Sequence, residues 1–203
     1  MTEIVQLARD EEVASRPFSA RVHTTRDAVV MQAMLGRMRT LAAGWTDAVH
    51  TREPDADGRR HWIRVPDVDA LLSARNLTVV GFFGQARPEV DHSLIHALEV
   101  SIVDTLERLT GVLSYYDLAL PTGGFGNLIL CRDPAAPVSV HGHELHRRAV
   151  ELTPRHYRTV RLHTGTVPGP FSSAADLIVE CTRYYDFAGE PAWLAVRELG
   201  SIR

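Results

Sequence analysis

The chain has 203 residues, 45% of them apolar and 23% charged, which suffices for one domain with a large buried core and rules out a disordered protein. The formal net charge is −3, and the densest basic clusters are pairs, Arg59/Arg60 and Arg147/Arg148, so a nucleic-acid footprint is missing. All 22 basic residues are arginine, which removes lysine Schiff-base chemistry, lysine-anchored pyridoxal phosphate and a Walker-type phosphate loop together.

Residues 1 to about 25 are polar, and the opening MTEIVQLARDEE lacks the apolar centre of a signal peptide. No apolar run approaches the roughly 18 residues of a membrane span. The two cysteines, Cys131 and Cys181, make no disulfide framework. The expected protein is therefore cytoplasmic, without a membrane or nucleic-acid partner.

From Arg26 to Trp45 the spacing of Val30, Met34, Met38 and Leu41 predicts a helix that stops at Gly44. The loop REPDADGRR (52–60) is the best candidate boundary, and a short helix is expected over Asp67 to Ala74, with Asp67 as N-cap. Leu77 to Gln85 is β-branched and aromatic, hence a strand. Asp91 to Leu109 reads as a helix with Ile95, Leu98, Ile102, Leu106 and Leu109 on one face and Gly111 as its C-terminal stop. Val112 to Leu120 and Asn127 to Cys131 read as a hairpin around PTGGFG. A helix over His143 to Leu152, closed by Pro154, precedes an ambiguous stretch (157–167) and a final strand over Asp176 to Phe187.

That order is β-α-β-β-α-β. It predicts an α+β fold with a ferredoxin-like unit over residues 76–203 and an N-terminal helical extension over residues 1–75. Two helices cover one sheet face. The other is expected to be open and closed by a partner, giving a homodimer of the dimeric α+β-barrel type.

Five of the ten histidines fall between His141 and His163. His143 and His146 are three apart at the start of a predicted helix and project from nearly one face. Imidazole suits haem iron or zinc. The run HGHELH offers a zinc-like spacing, although Leu145 stands where a zinc hydrolase carries aspartate.

Several segments in the same order resemble the haem-containing aldoxime dehydratases over roughly residues 77–187. They are GFFGQARPEV (81–90), LERLTGVLSYYD (106–117), FGNLILCRD (125–133), HELH (143–146) and RLHTGTV (161–167). The resemblance implies haem b in residues 76–203, with His146 as the iron's axial ligand and His143 as the alternative. It implies His163 and Arg87 as catalytic donors in the pocket, Arg161 beside the haem propionates, and a small organic substrate such as an aldoxime, converted to a nitrile. The chain departs from the family in lacking a clear counterpart of its catalytic serine. Haem-dependent monooxygenase or peroxidase chemistry, and a cofactor-free enzyme or binding protein of the same fold, are therefore the alternatives.

Overall fold

The computed structural model describes residues 3–54, 58–121 and 124–200. Nine strands are described: β1 (Ile4–Leu7), β2 (Val49–Pro54), β3 (Arg60–Val65), β4 (Arg75–Ala86), β5 (Val112–Ala119), β6 (Phe125–Cys131), β7 (Tyr157–Pro170), β8 (Ile178–Asp186) and β9 (Trp193–Glu198). Five α-helices accompany them: α1 (Arg21–Ala42), α2 (Val68–Ser73), α3 (Ser93–Asp104), α4 (Ala135–Gly142) and α5 (Glu144–His156).

All nine strands form one sheet in the order β1-β9-β8-β7-β4-β6-β5-β3-β2. Its centre, β4-α3-β5-β6-α5-β7, has the expected β-α-β-β-α-β element order, with neighbouring strands antiparallel. Thr122 and Gly123 of the predicted hairpin turn lie outside the described residues, but Leu120 N–H donates to Gly124 O at 2.8 Å across its base. Asp67 Oδ1 accepts from Ala70 N–H at 2.8 Å, the predicted N-cap of α2. Gly111 adopts φ +85°, as a stop glycine should, but α3 itself ends earlier, at Asp104, and continues only as a short 3₁₀ turn.

Residues 1–75 are more than a helical extension. They supply β1, β2 and β3 to the same sheet, and the expected boundary loop joins β2 to β3 as antiparallel partners, residues 55–57 lying outside the described ones. These strands escaped the sequence because β2 (VHTREP) is mostly polar and exposed, without apolar alternation. Strand β9, beyond the supposed last strand, and α4, with Pro134 at its N-cap and Pro137 within it, were also unforeseen. Helix α5 runs past Leu152 to His156, with Pro154 inside its final turn; the proline has no N–H to donate, and the helix ends two residues on.

The sheet face expected to be open is covered by α1. Met31, Met34, Leu35 and Met38 are at most 2% exposed and pack with Leu77, Val79, Phe83, Leu128 and Leu130. Each such side chain contributes roughly 1.5–3 kcal/mol, so α1 belongs to the core. The argument for a homodimer through that face therefore falls. The GFFG sequence has a packing role here. A Cβ on Gly81 would lie 2.2 Å from Met31 Sδ, and one on Gly84 would lie 2.5 Å from the Tyr157 ring.

Candidate functional site

On the opposite face, α3, α4 and α5 stand off the sheet and leave a cavity of about 790 Å³. That lies within the range of about 300–1,000 Å³ usual for small-molecule sites. Sheet alternation fixes the floor: Val80 and Phe82 of β4, Tyr115 and Asp117 of β5, Asn127 and Ile129 of β6, and Val160 and Leu162 of β7. The apolar part of the roof runs from Ile95 and Ile102 of α3 to Val140 of α4 and Val150 of α5, with polar side chains between.

His146 lines one end of this cavity from the first turn of α5. Its Nδ1 is buried with no hydrogen-bond partner. Burial, with the neighbouring His141 and His143 adding to it, pushes the ring's pKa down to about 4, so the imidazole is neutral and one ring nitrogen keeps its lone pair. The His141 ring packs edge-on against it at 4.9 Å between centroids. His143 is not in the wall: it is the N-cap of α5, which turns its side chain off the helical face assumed from the three-residue spacing. Among the described residues, no group of three or more His, Cys, Asp or Glu side chains is placed to hold a metal ion by itself.

The other expected site residues are elsewhere. His163 pairs with Gly81, and that parity aims it at α1, away from the cavity. It is fully buried: Nε2 meets Asp27 Oδ2 at 2.9 Å and Nδ1 meets Thr182 Oγ1 at 3.0 Å. Because a carboxylate only accepts, Nε2 carries the proton and Nδ1 accepts from the threonine hydroxyl. Burial lowers the His163 pKa, opposed by Asp27. Arg161, on the same face, holds Asp27 through Nε at 2.5 Å and Nη2 at 3.0 Å, so it has no reach to a haem propionate in the cavity. Arg87 also stays outside the wall, donating to Phe187 O at 2.6 Å and Pro154 O at 3.3 Å, where it ties β4 to the ends of β8 and α5. These three are corrected from catalytic or cofactor contacts to members of the packing framework.

What the sequence missed is a chain of polar groups in the cavity wall. Tyr115 donates to Glu99 Oε1 at 2.5 Å, and His96 Nδ1 donates to Glu99 Oε2 at 3.0 Å. Arg60 Nη1 stands 3.5 Å from His96 Nε2, and its Nη2 stands 3.6 Å from Asp117 Oδ2. Asp117 is 1% exposed, and Oδ2 has no hydrogen-bond partner. Burial, then the charge of Glu99, raise its pKa to about 7, with Arg60 opposing. The available signals were a lone aspartate in an otherwise uncharged strand (VLSYYDLA) and Glu99 within the apolar stripe between Ile95 and Ile102.

No known family model matches the sequence, and comparison with curated proteins gives no significant match. Two crystal structures are similar over part of the chain. Protein SO0527 from Shewanella oneidensis shares 15% identity at a TM-score of 0.41, covering 45% of this chain and 91% of its own. The NE2512 protein of unknown function from Nitrosomonas europaea shares 9% identity at 0.41, covering 47% of this chain and 92% of its own.

Proposed function

We propose that this protein is a haem-binding enzyme acting on a small, largely apolar organic molecule in the cavity between the helices and the sheet. The observation that carries the reading is His146, a half-buried neutral imidazole whose Nδ1 has no hydrogen-bond partner, in the wall of a large and mainly apolar space. That is the chemistry an axial ligand needs. The element order of the sheet's centre supports a ferredoxin-like unit for the scaffold.

Haem would supply an iron that accepts a lone pair from a nitrogen or oxygen of the substrate. The reaction class carried over from the resemblance is N–O bond chemistry, aldoxime to nitrile or a related conversion. His141, packed against the His146 ring, restricts its rotation. The apolar parts of the wall suit the apolar body of such a molecule. The donors that the resemblance implied, His163 and Arg87, are not available for proton transfer at this site. A cofactor-free acid–base enzyme in the same cavity is the second reading, favoured by the polar groups around Asp117.

The test is a haem titration of the purified chain read by absorption. Saturable binding with a Soret band that is lost in His146→Ala and kept in His143→Ala is the expected result. An unchanged spectrum in His146→Ala, or no saturable binding by the wild type, would overturn the haem reading.

A further inference from the structure

The polar groups lie toward the end of the cavity away from His146. Tyr157, directly after α5, pairs with Ala86 at the end of β4, and it stands close enough to Glu99 and Asp117 for their charges to add to burial in raising its pKa. His146 sits ten residues before His156 in the same helix, about 15 Å back along its axis. The two sites thus stand apart within one cavity.

We propose that Asp117 is the acid–base residue of this cavity, and that its Oδ2, without a hydrogen-bond partner and 3.6 Å from Arg60 Nη2, takes the hydroxyl proton of a ligand with an apolar body and one neutral hydroxyl head. In the chemical step the ligand's O–H bond breaks, its electron pair stays on the ligand oxygen, and the proton passes to Asp117 Oδ2. The resulting oxyanion faces the Arg60 guanidinium. In the reverse direction Asp117 returns the proton. The inference rests on the reading that the cavity takes a small organic molecule, and it is independent of what His146 holds.

Charge selects the head group. Asp117 and Glu99 disfavour an anion, whereas Arg60, 3.6 Å from Asp117 Oδ2, disfavours a cation. A neutral donor is what remains, and it would satisfy Asp117 Oδ2. The groups facing Asp117 are Arg60 from β3, His96 and Glu99 from α3, Tyr115 from its own strand and Tyr157 from β7, with Asp91 and His92 at the cavity margin. Both oxygens of Glu99 are engaged, by Tyr115 and His96, so Asp117 is the carboxyl with capacity to exchange a proton. Its affinity for that proton, near neutrality, matches the task.

The experiment is calorimetric titration of the purified full chain with 4-propylphenol, a phenol that stays neutral from pH 5 to 9. An ionised carboxylate accepts a hydroxyl proton better than a neutral acid does, so affinity should rise about fivefold through a midpoint near pH 7. Glu99→Gln should move that midpoint down, because it removes a charge that raises it. Asp117→Asn should bind weakly with no dependence on pH. A merely structural role for these residues would leave the midpoint where it is. The proposal is overturned by a flat wild-type profile, by an unmoved midpoint in Glu99→Gln, by no saturable phenol binding, or by preference for propylamine. The absorption spectrum with haem reports on His146 alone, so the two readings fail separately.

Discussion

Replacing Asp117 with asparagine should stabilise the protein in alkaline solution and leave it unchanged in acid. Asp117 is 1% exposed, and its pKa rises from the ordinary 3.8 to about 7 on folding, chiefly through burial. At about 1.4 kcal/mol per tenfold change in proton affinity, that rise is worth about 4 kcal/mol. Below about pH 4 the carboxyl is protonated in both folded and unfolded chains, and nothing is lost. As the pH climbs from 4 to 7 the unfolded chain releases its proton while the folded one retains it, so folding weakens. Above 7 the loss is complete, because the fold must then bury a carboxylate. Asparagine keeps the shape and does not titrate. Urea unfolding of both proteins from pH 4 to 8 should show the variant's advantage growing from near zero to about 4 kcal/mol. Comparing the pair isolates Asp117, since histidines with lowered pKa act oppositely and equally in both. Parallel stability curves across that range would refute the reasoning.

His163 should be harder to protonate than an ordinary imidazole, because burial lowers its pKa, with Asp27 opposing. Its stabilising contribution is present above pH 6.5 and declines as acid forces the ring to charge. Carbon-13 ring shifts by NMR with a titration midpoint below 6.5 would bear this out, and a midpoint at or above 6.5 would count against it. Asp27→Asn leaves Arg161 and His163 without their shared carboxylate and should cost about 3–5 kcal/mol in urea unfolding. Ligand binding by the folded fraction should persist, and a loss of binding without a loss of stability would return these residues to the site. Gly165→Ala places a Cβ 1.9 Å from the carbonyl oxygen of Ile178 on the partner strand, so it should destabilise by about 1–3 kcal/mol or more. A melting temperature equal to the wild type's would show that the strands yield more readily than the backbone contact implies.

Strong periodicity made the centre of the fold legible. The stripe Ile95, Leu98 and Ile102 marked α3, and the β-branched and aromatic run Leu77 to Gln85 marked β4. Edge strands carried no such signal, because β1 and β2 are largely exposed and need no apolar alternation. The role of α1 was hidden for a different reason. Its apolar stripe was visible, but nothing local says which surface a stripe will cover. At the site, His146 could be picked out as a helical imidazole, whereas His163 was misplaced because strand parity relative to the sheet is a tertiary property. Asp117 and Glu99 are 18 residues apart, and no short motif joins groups that only strand pairing and helix packing bring to one wall.

The account stands most directly on the cavity itself, and Ala149→Phe tests it. Ala149 lines the cavity from α5, three residues beyond His146, and a phenyl ring there takes up cavity volume. The variant should fold as stably as the wild type yet lose both the haem absorption band and the 4-propylphenol titration. Unaltered binding of both by the filled protein would place the functional site somewhere else.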